Sequence, residues 1–229
     1  MFSYYGGKRN FIKKYPNPPQ DVTIIVEPFA GSCSYIVHHM EEEDDREFIG
    51  IESSKLLHKT YRFLQDCDEE EISTMELRMG KTIEDDFPDL NKRAFASLQS
   101  QVGCAHLYES KTVTEWGLKQ WPSRRNHIVR SLPKTKRVKI IEGNCFDYFD
   151  QLDSPTTLWF IDPPYTGIAG SHYRSGLDHE KLAEQVKKLE GYVVVCGNEN
   201  DKYLPFEYLF DSRCYRGKKL QEWIYKQRM

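Results

Sequence analysis

The chain has 229 residues, of which 39% are hydrophobic and 13% aromatic. That supplies one sizeable core and excludes a disordered tail or a repeat array. Its net charge of −3 and pI near 6.2 exclude a globally basic nucleic-acid binder. No run approaches the roughly 18 apolar residues of a membrane helix, and the first residues lack signal-peptide character. A cytoplasmic monomer is therefore expected, in a bacterial or phage-infected cell. Six scattered cysteines without a Cys-x-x-Cys pair point to free thiols, and the seven histidines form no ligand pattern, so no metal is expected.

In chain order, Tyr4-Tyr5-Gly6-Gly7-Lys8-Arg9 sets paired glycines between aromatics and cations, a turn against which a ligand could lie. It is not a Walker A loop, because the first glycine and the Ser/Thr after Lys8 are missing. Thr23-Ile24-Ile25-Val26-Glu27 reads as a buried strand. Pro28-Phe29-Ala30-Gly31-Ser32-Cys33-Ser34-Tyr35 then leads into a helix. A strand, small-residue turn and helix present backbone N–H groups to a ligand, although small residues at such turns also serve packing. The strand at residues 47–52 ends in Glu52, about 20 residues past that turn, where a dinucleotide-type fold places its ribose acceptor. Glu52 could instead share an N-cap role with Ser53 and Ser54.

From about residue 66 to 135 the strand-helix rhythm breaks. Gly103, Glu109-Ser110-Lys111 and Trp121-Pro122-Ser123 read as turn and polar material, and the stretch reads as an inserted lobe. Charge divides within it. Residues 66–89 hold ten acids, whereas residues 116–141 hold eight Lys/Arg, no acid and two tryptophans. A basic stretch interleaved with aromatics suits phosphate contacts, and Arg124, Arg125, Lys134 and Lys136 are the expected contacts.

The rhythm resumes with a strand at residues 137–142 and its exit turn Gly143-Asn144-Cys145-Phe146. Leu158-Trp159-Phe160-Ile161 is too short for a confident helix and must end at Asp162, because Pro163 and Pro164 lack the N–H a ladder needs. In an α/β sheet such a strand end faces the ligand crevice, although a proline turn with Asp162 as a local acceptor is the bland alternative. A Gly/Ser/Tyr-rich loop at residues 166–176, a helix at 179–190 and a strand at 192–196 follow. Residues 206–210 and 220–226 read as an antiparallel hairpin.

Together, Tyr5-Gly6-Gly7-Lys8, Glu27-Pro28-Phe29-Ala30-Gly31-Ser32, Glu52 and Asp162-Pro163-Pro164-Tyr165, in this order, resemble the Dam-type (D12 class) DNA adenine N6-methyltransferases. The resemblance covers residues 4–65 and 137 to about 200. It implies a Rossmann-like α/β methyltransferase sheet with a C-terminal antiparallel hairpin. The catalytic domain would be 1–65 and 136–229, and a mainly helical target-recognition lobe would occupy 66–135. It further implies methyl transfer from S-adenosylmethionine to N6 of a flipped-out adenine in double-stranded DNA. Asp162, Pro163, Pro164 and Tyr165 would be catalytic. The cofactor would meet Tyr5, Gly6, Gly7 and Lys8, Glu27 and residues 28–32, Glu52, Asn144, Cys145, Phe146 and Asp162. Members usually carry glycine at the position of Cys33 and aspartate at that of Asn144, which predicts altered cofactor contacts. Three alternatives stay open: N4-cytosine chemistry, RNA as substrate, and a non-catalytic nucleic-acid-binding scaffold.

Overall fold

The short β-branched runs of the sequence become the middle of one sheet. The computed structural model describes residues 2, 7–101, 109–166, 176–213 and 219–229. The strands are β1 (Ile24–Glu27), β2 (Glu47–Glu52), β3 (Lys139–Glu142), β4 (Thr157–Ile161), β5 (Tyr192–Gly197), β6 (Glu207–Arg213) and β7 (Lys219–Gln227). They align in the order β3-β2-β1-β4-β5-β7-β6. The first five are parallel, while β7 runs antiparallel to β5 and carries β6 as a hairpin partner. This is the Rossmann-like α/β sheet with a C-terminal antiparallel hairpin expected from the sequence.

Eight helices are described: α1 (Ser34–His39), α2 (Lys55–Asp66), α3 (Glu69–Thr74), α4 (Ile83–Asp86), α5 (Leu90–Ser100), α6 (Glu115–Lys136), α7 (Phe149–Leu152) and α8 (His179–Val186). Strand residues alternate between two cores. Ile25, Phe48, Leu158, Phe160 and Val194 pack with Tyr35, Leu57, Tyr61, Phe95, Trp121 and Leu132 from α1, α2, α5 and α6. Val26, Ile49, Trp159, Ile161 and Val193 pack with Phe149, Leu182 and Val186 from α7 and α8. Cover on both faces explains why β4 is buried along its whole length and reads as an unbroken apolar run.

Trp121-Pro122-Ser123 is no turn: it lies inside α6. Thr114 caps that helix by accepting from the Gly117 N–H at 3.0 Å. The interior prolines Pro122 and Pro133 cost about 3 kcal/mol each. Against this, Trp121, Ile128 and Leu132 are all buried on one stripe of α6, each contributing about 1.5–3 kcal/mol. The Trp121 indole also donates to the Met75 carbonyl at 2.9 Å. Burial and this bond together offset the lost helical bonds.

The chain order reverses between β1 and β4, which lie side by side with Val26 opposite Trp159. Ligand crevices in open α/β sheets sit at the carboxyl ends of the strands at such a switch point. Glu27 ends one of these strands and Asp162 follows the other.

Candidate functional site

Asp162 is the first residue past β4, where the proline pair stops the ladder, and its side chain is 22% exposed. The buried Lys8 reaches it from the amino-terminal turn, with Nζ 3.4 Å from Asp162 Oδ1. The same ammonium donates to Glu222 Oε2 at 3.0 Å and contacts the Tyr165 hydroxyl. Glu222 Oε2 also accepts from the hydroxyls of Tyr15 and Tyr165, each at 3.1 Å. One cation, two carboxylates and two phenols thus share one recess.

Burial pushes the Asp162 carboxyl up to about 6; Lys8 opposes this and the Glu222 charge adds to it. Burial also works against the Lys8 charge, but Asp162 and Glu222 outweigh it and hold the ammonium above its ordinary range. Tyr165 and Tyr15 are pushed up, first by burial, and stay neutral phenols.

Two contacts hold the turn after Asp162. His179 Nε2 lies 2.8 Å from the Pro164 carbonyl. The buried Asp201 carboxylate accepts from the N–H groups of Thr166 at 2.9 Å and Asn198 at 2.7 Å. Among the described residues no donor meets the Pro163 carbonyl.

On the neighbouring strands, Glu27 Oε1 accepts from the Ile36 N–H at 2.8 Å, so a buried carboxylate caps α1. Burial raises its pKa and that N–H opposes the rise. Glu52 binds the Gly31 N–H at 3.1 Å with one oxygen and the Ser54 N–H at 2.8 Å with the other. Burial pushes it up to about 7, against these amides. Ser54 itself caps α2 by accepting from Leu57. The N-cap alternative for Glu52 is therefore partly realised, because its carboxylate holds the cap residue in place.

Gly31 and Cys33 both sit in the left-handed region, at φ 48° and 49°. For a residue with a Cβ this costs roughly 1–2 kcal/mol, a cost that Cys33 bears and a glycine there would not. Cys33 is fully buried. Asn144 Oδ1 accepts from the Phe146 N–H at 3.1 Å and starts the turn at Cys145–Asp147. The Gly143 N–H meets the Glu52 carbonyl at 3.1 Å, which brings this turn beside Glu52.

The fold thus gathers Lys8, Asp162 and Tyr165 in direct contact, and Gly31, Glu52 and the Asn144 turn around the ends of β1, β2 and β3. Pro28 and Ala30 are buried within the same turn, with Phe29 packed on the second core and the Ser32 and Ser34 hydroxyls 3.0 Å apart. Lys8, expected beside the cofactor, meets the Asp162 carboxylate instead of standing free. Tyr5, Gly6 and residues 167–175 lie outside the described residues.

The four basic positions do not share one surface. Arg124 Nη1 donates to the Gln99 carbonyl at 2.7 Å and Arg125 to the Met75 carbonyl at 3.4 Å. Lys134 donates to the Val37 and Met40 carbonyls at the end of α1, and Lys136 is exposed.

Tyr15, His179, Asp201 and Glu222 were not singled out from sequence. For Glu222 a signal existed: with period two it shares parity with Leu220 and Ile224, placing an acid on the apolar face of a strand.

No family model matches the chain, and no curated protein does. Among solved structures, a conserved hypothetical protein of Streptococcus pyogenes is 13% identical, with 96% of this chain and 93% of that chain covered and a TM-score of 0.36. A protein named as a candidate methyltransferase, yhhF of Escherichia coli, is 10% identical, with 90% and 77% covered and a TM-score of 0.35. Neither score supports an inference about activity.

Proposed function

We propose that this chain transfers a methyl group from S-adenosylmethionine to N6 of an adenine in DNA. The observation that carries the reading is the Asp162 carboxylate at the switch point, in a recess with Lys8, Glu222 and Tyr165.

The donor set fits the cofactor. An ionised carboxylate has about four acceptor positions. Glu52 spends two on Gly31 and Ser54, so each oxygen keeps capacity for a ribose hydroxyl. The turn at residues 28–32, Glu27 and the turn at residues 144–146 flank it at the ends of adjacent strands. When bound there, S-adenosylmethionine supplies an electrophilic methyl on a sulfonium.

The chain's own groups supply the rest. Adenine N6 is a poor nucleophile because its lone pair is delocalised into the ring. Asp162 and the Pro163 carbonyl are acceptors for its two hydrogens, and holding both favours a pyramidal nitrogen with a directed lone pair. The Tyr165 hydroxyl is tied by Glu222, which fixes the ring as a wall for a base extruded from the duplex. Lys8, Asp162 and Glu222 sum to one negative charge, which favours the positive charge that develops on N6 during alkylation. With its pKa near 6, Asp162 is a better acceptor for the departing proton than an ordinary aspartate.

The test is transfer of labelled methyl from S-adenosylmethionine to DNA, with the modified nucleoside identified. N6-methyladenine is expected, and it should disappear in a folded Asp162→Ala variant. N4-methylcytosine as sole product, or full activity in that variant, refutes the reading.

A further inference from the structure

A second recess lies outside the Asp162 site. The chain just past Lys8 and the exposed side of α6 line a half-open cavity of about 440 Å³, within the range of roughly 300–1,000 Å³ typical of ligand pockets. Arg9, Trp116, Gln120, Arg124, His127 and Arg130 line it, and among the described residues no carboxylate does.

Its parts have distinct chemistry. Arg9 and Arg130 are exposed and make no ion pair with a described residue. The Arg124 guanidinium is steered by the Gln99 carbonyl and lies 4.7 Å from the Trp116 ring centroid. His127 has a buried Nε2 without a hydrogen-bond partner. Burial, and the charges of Arg9 and Arg130, press its pKa down to about 4, so it is neutral at pH 7. The cavity therefore combines unpaired cations for an anion, an aromatic and guanidinium surface for a flat ring, and the Gln120 amide for a base edge.

Position selects the ligand. Arg9 directly follows Lys8, and consecutive Cα atoms lie 3.8 Å apart. Lys8 sends its ammonium to Asp162 while Arg9, the next residue, lines the cavity, so the cavity lies within the combined reach of two adjacent long side chains from the proposed reacting centre. We infer that it holds a nucleotide of the substrate DNA strand next to the target base, with its phosphate on Arg9 and Arg130 and its base against Trp116. The inference rests on the proposed function, since it takes Asp162 to mark where the target base enters.

The test measures binding of a fluorescently labelled DNA duplex by anisotropy over about 50–200 mM salt, a range in which lost phosphate contacts change the slope by nearly one each. Arg9→Ala and Arg130→Ala should each weaken binding about three- to tenfold and flatten the log–log salt slope by about one. Arg130→Lys should keep most of the slope, and Lys188→Ala, beyond α8 on the opposite face of the sheet, should leave both unchanged. Titration with a short single-stranded oligonucleotide should quench tryptophan emission in the wild type and not in Trp116→Phe. Thermal melts check that each variant is folded; if Arg9→Ala is not, Arg130→Ala and the quenching carry the test.

Wild-type DNA methylation with affinity, slope and quenching unchanged in these variants overturns the cavity assignment alone. A wild type that neither binds nor methylates DNA overturns the proposed function with it. Tighter binding of RNA than of DNA of the same sequence overturns the assignment to a DNA strand.

Discussion

Glu222→Gln isolates the electrostatics of the recess without changing its shape. Glu222 and Asp162 contact the same Lys8 nitrogen at 3.0 and 3.4 Å, so their nearest oxygens are at most about 6 Å apart. At an effective dielectric of about 20, two like charges at that separation repel by about 3 kcal/mol, or about 2 pH units. Residual exposure of Asp162 screens part of this and leaves on the order of 1–2 units. Removing the Glu222 charge also leaves Lys8 to Asp162 alone. Both effects lower the Asp162 pKa from about 6 towards its ordinary value. Methyl transfer that needs the ionised carboxylate rises with pH through that pKa, so the acid limb of kcat/KM should move to lower pH in the variant. The pH profile of methyl transfer and a carboxyl ¹³C titration of Asp162 in the folded protein read the same shift independently. An acid limb that stays in place or moves upward refutes the reasoning. The amide keeps an acceptor oxygen for Tyr15 and Tyr165, and a thermal melt checks that the network survives.

Lys8→Met should move that limb the opposite way, to higher pH, and destabilise the fold by about 3 kcal/mol because the buried Glu222 and the partly exposed Asp162 lose their cation; urea titration and the pH profile measure the two effects. Gly50→Ala would place a Cβ 2.8 Å from both Cys33 Sγ and Ile140 Cδ1, so overpacking should cost about 1–3 kcal/mol in the same denaturation assay. For Glu52 the folded pKa of about 7 lies above the ordinary glutamate value of about 4.5, so the native state binds the extra proton. Stability should fall by on the order of 3 kcal/mol as pH rises through that window, and Glu52→Gln should remove this slope in melts taken across it. Lys134→Ala should cost about 1 kcal/mol, because its ammonium caps the α1 carbonyls, while DNA affinity in the anisotropy assay stays unchanged.

The sequence by itself determined the elements that local chemistry dictates. Residues 157–161 are apolar at every position because both faces of β4 are covered, and Pro163-Pro164 end the ladder at Asp162 wherever the strand lies. The same logic located the turn at residues 28–32, Glu52 at the end of β2, and the terminal hairpin. Helix α6 escaped because Pro122 is a strong local breaker, while the stripe that overrules it is recognisable only against Phe95, Met75 and the sheet.

Only the tertiary structure decided the company of Asp162. Lys8, Tyr15, Tyr165 and Glu222 come from sequence positions up to 214 residues apart. Their charges matter through separations of a few ångströms in a largely buried recess, and no periodicity encodes such a distance. The same holds for the basic stretch. In sequence it is one run of like charge, but helical geometry sends Arg125 and Lys134 to backbone carbonyls and leaves Arg130 on the cavity with Arg9. Residue type fixes which chemistry is present; the fold fixes which groups are close enough, and dry enough, to use it.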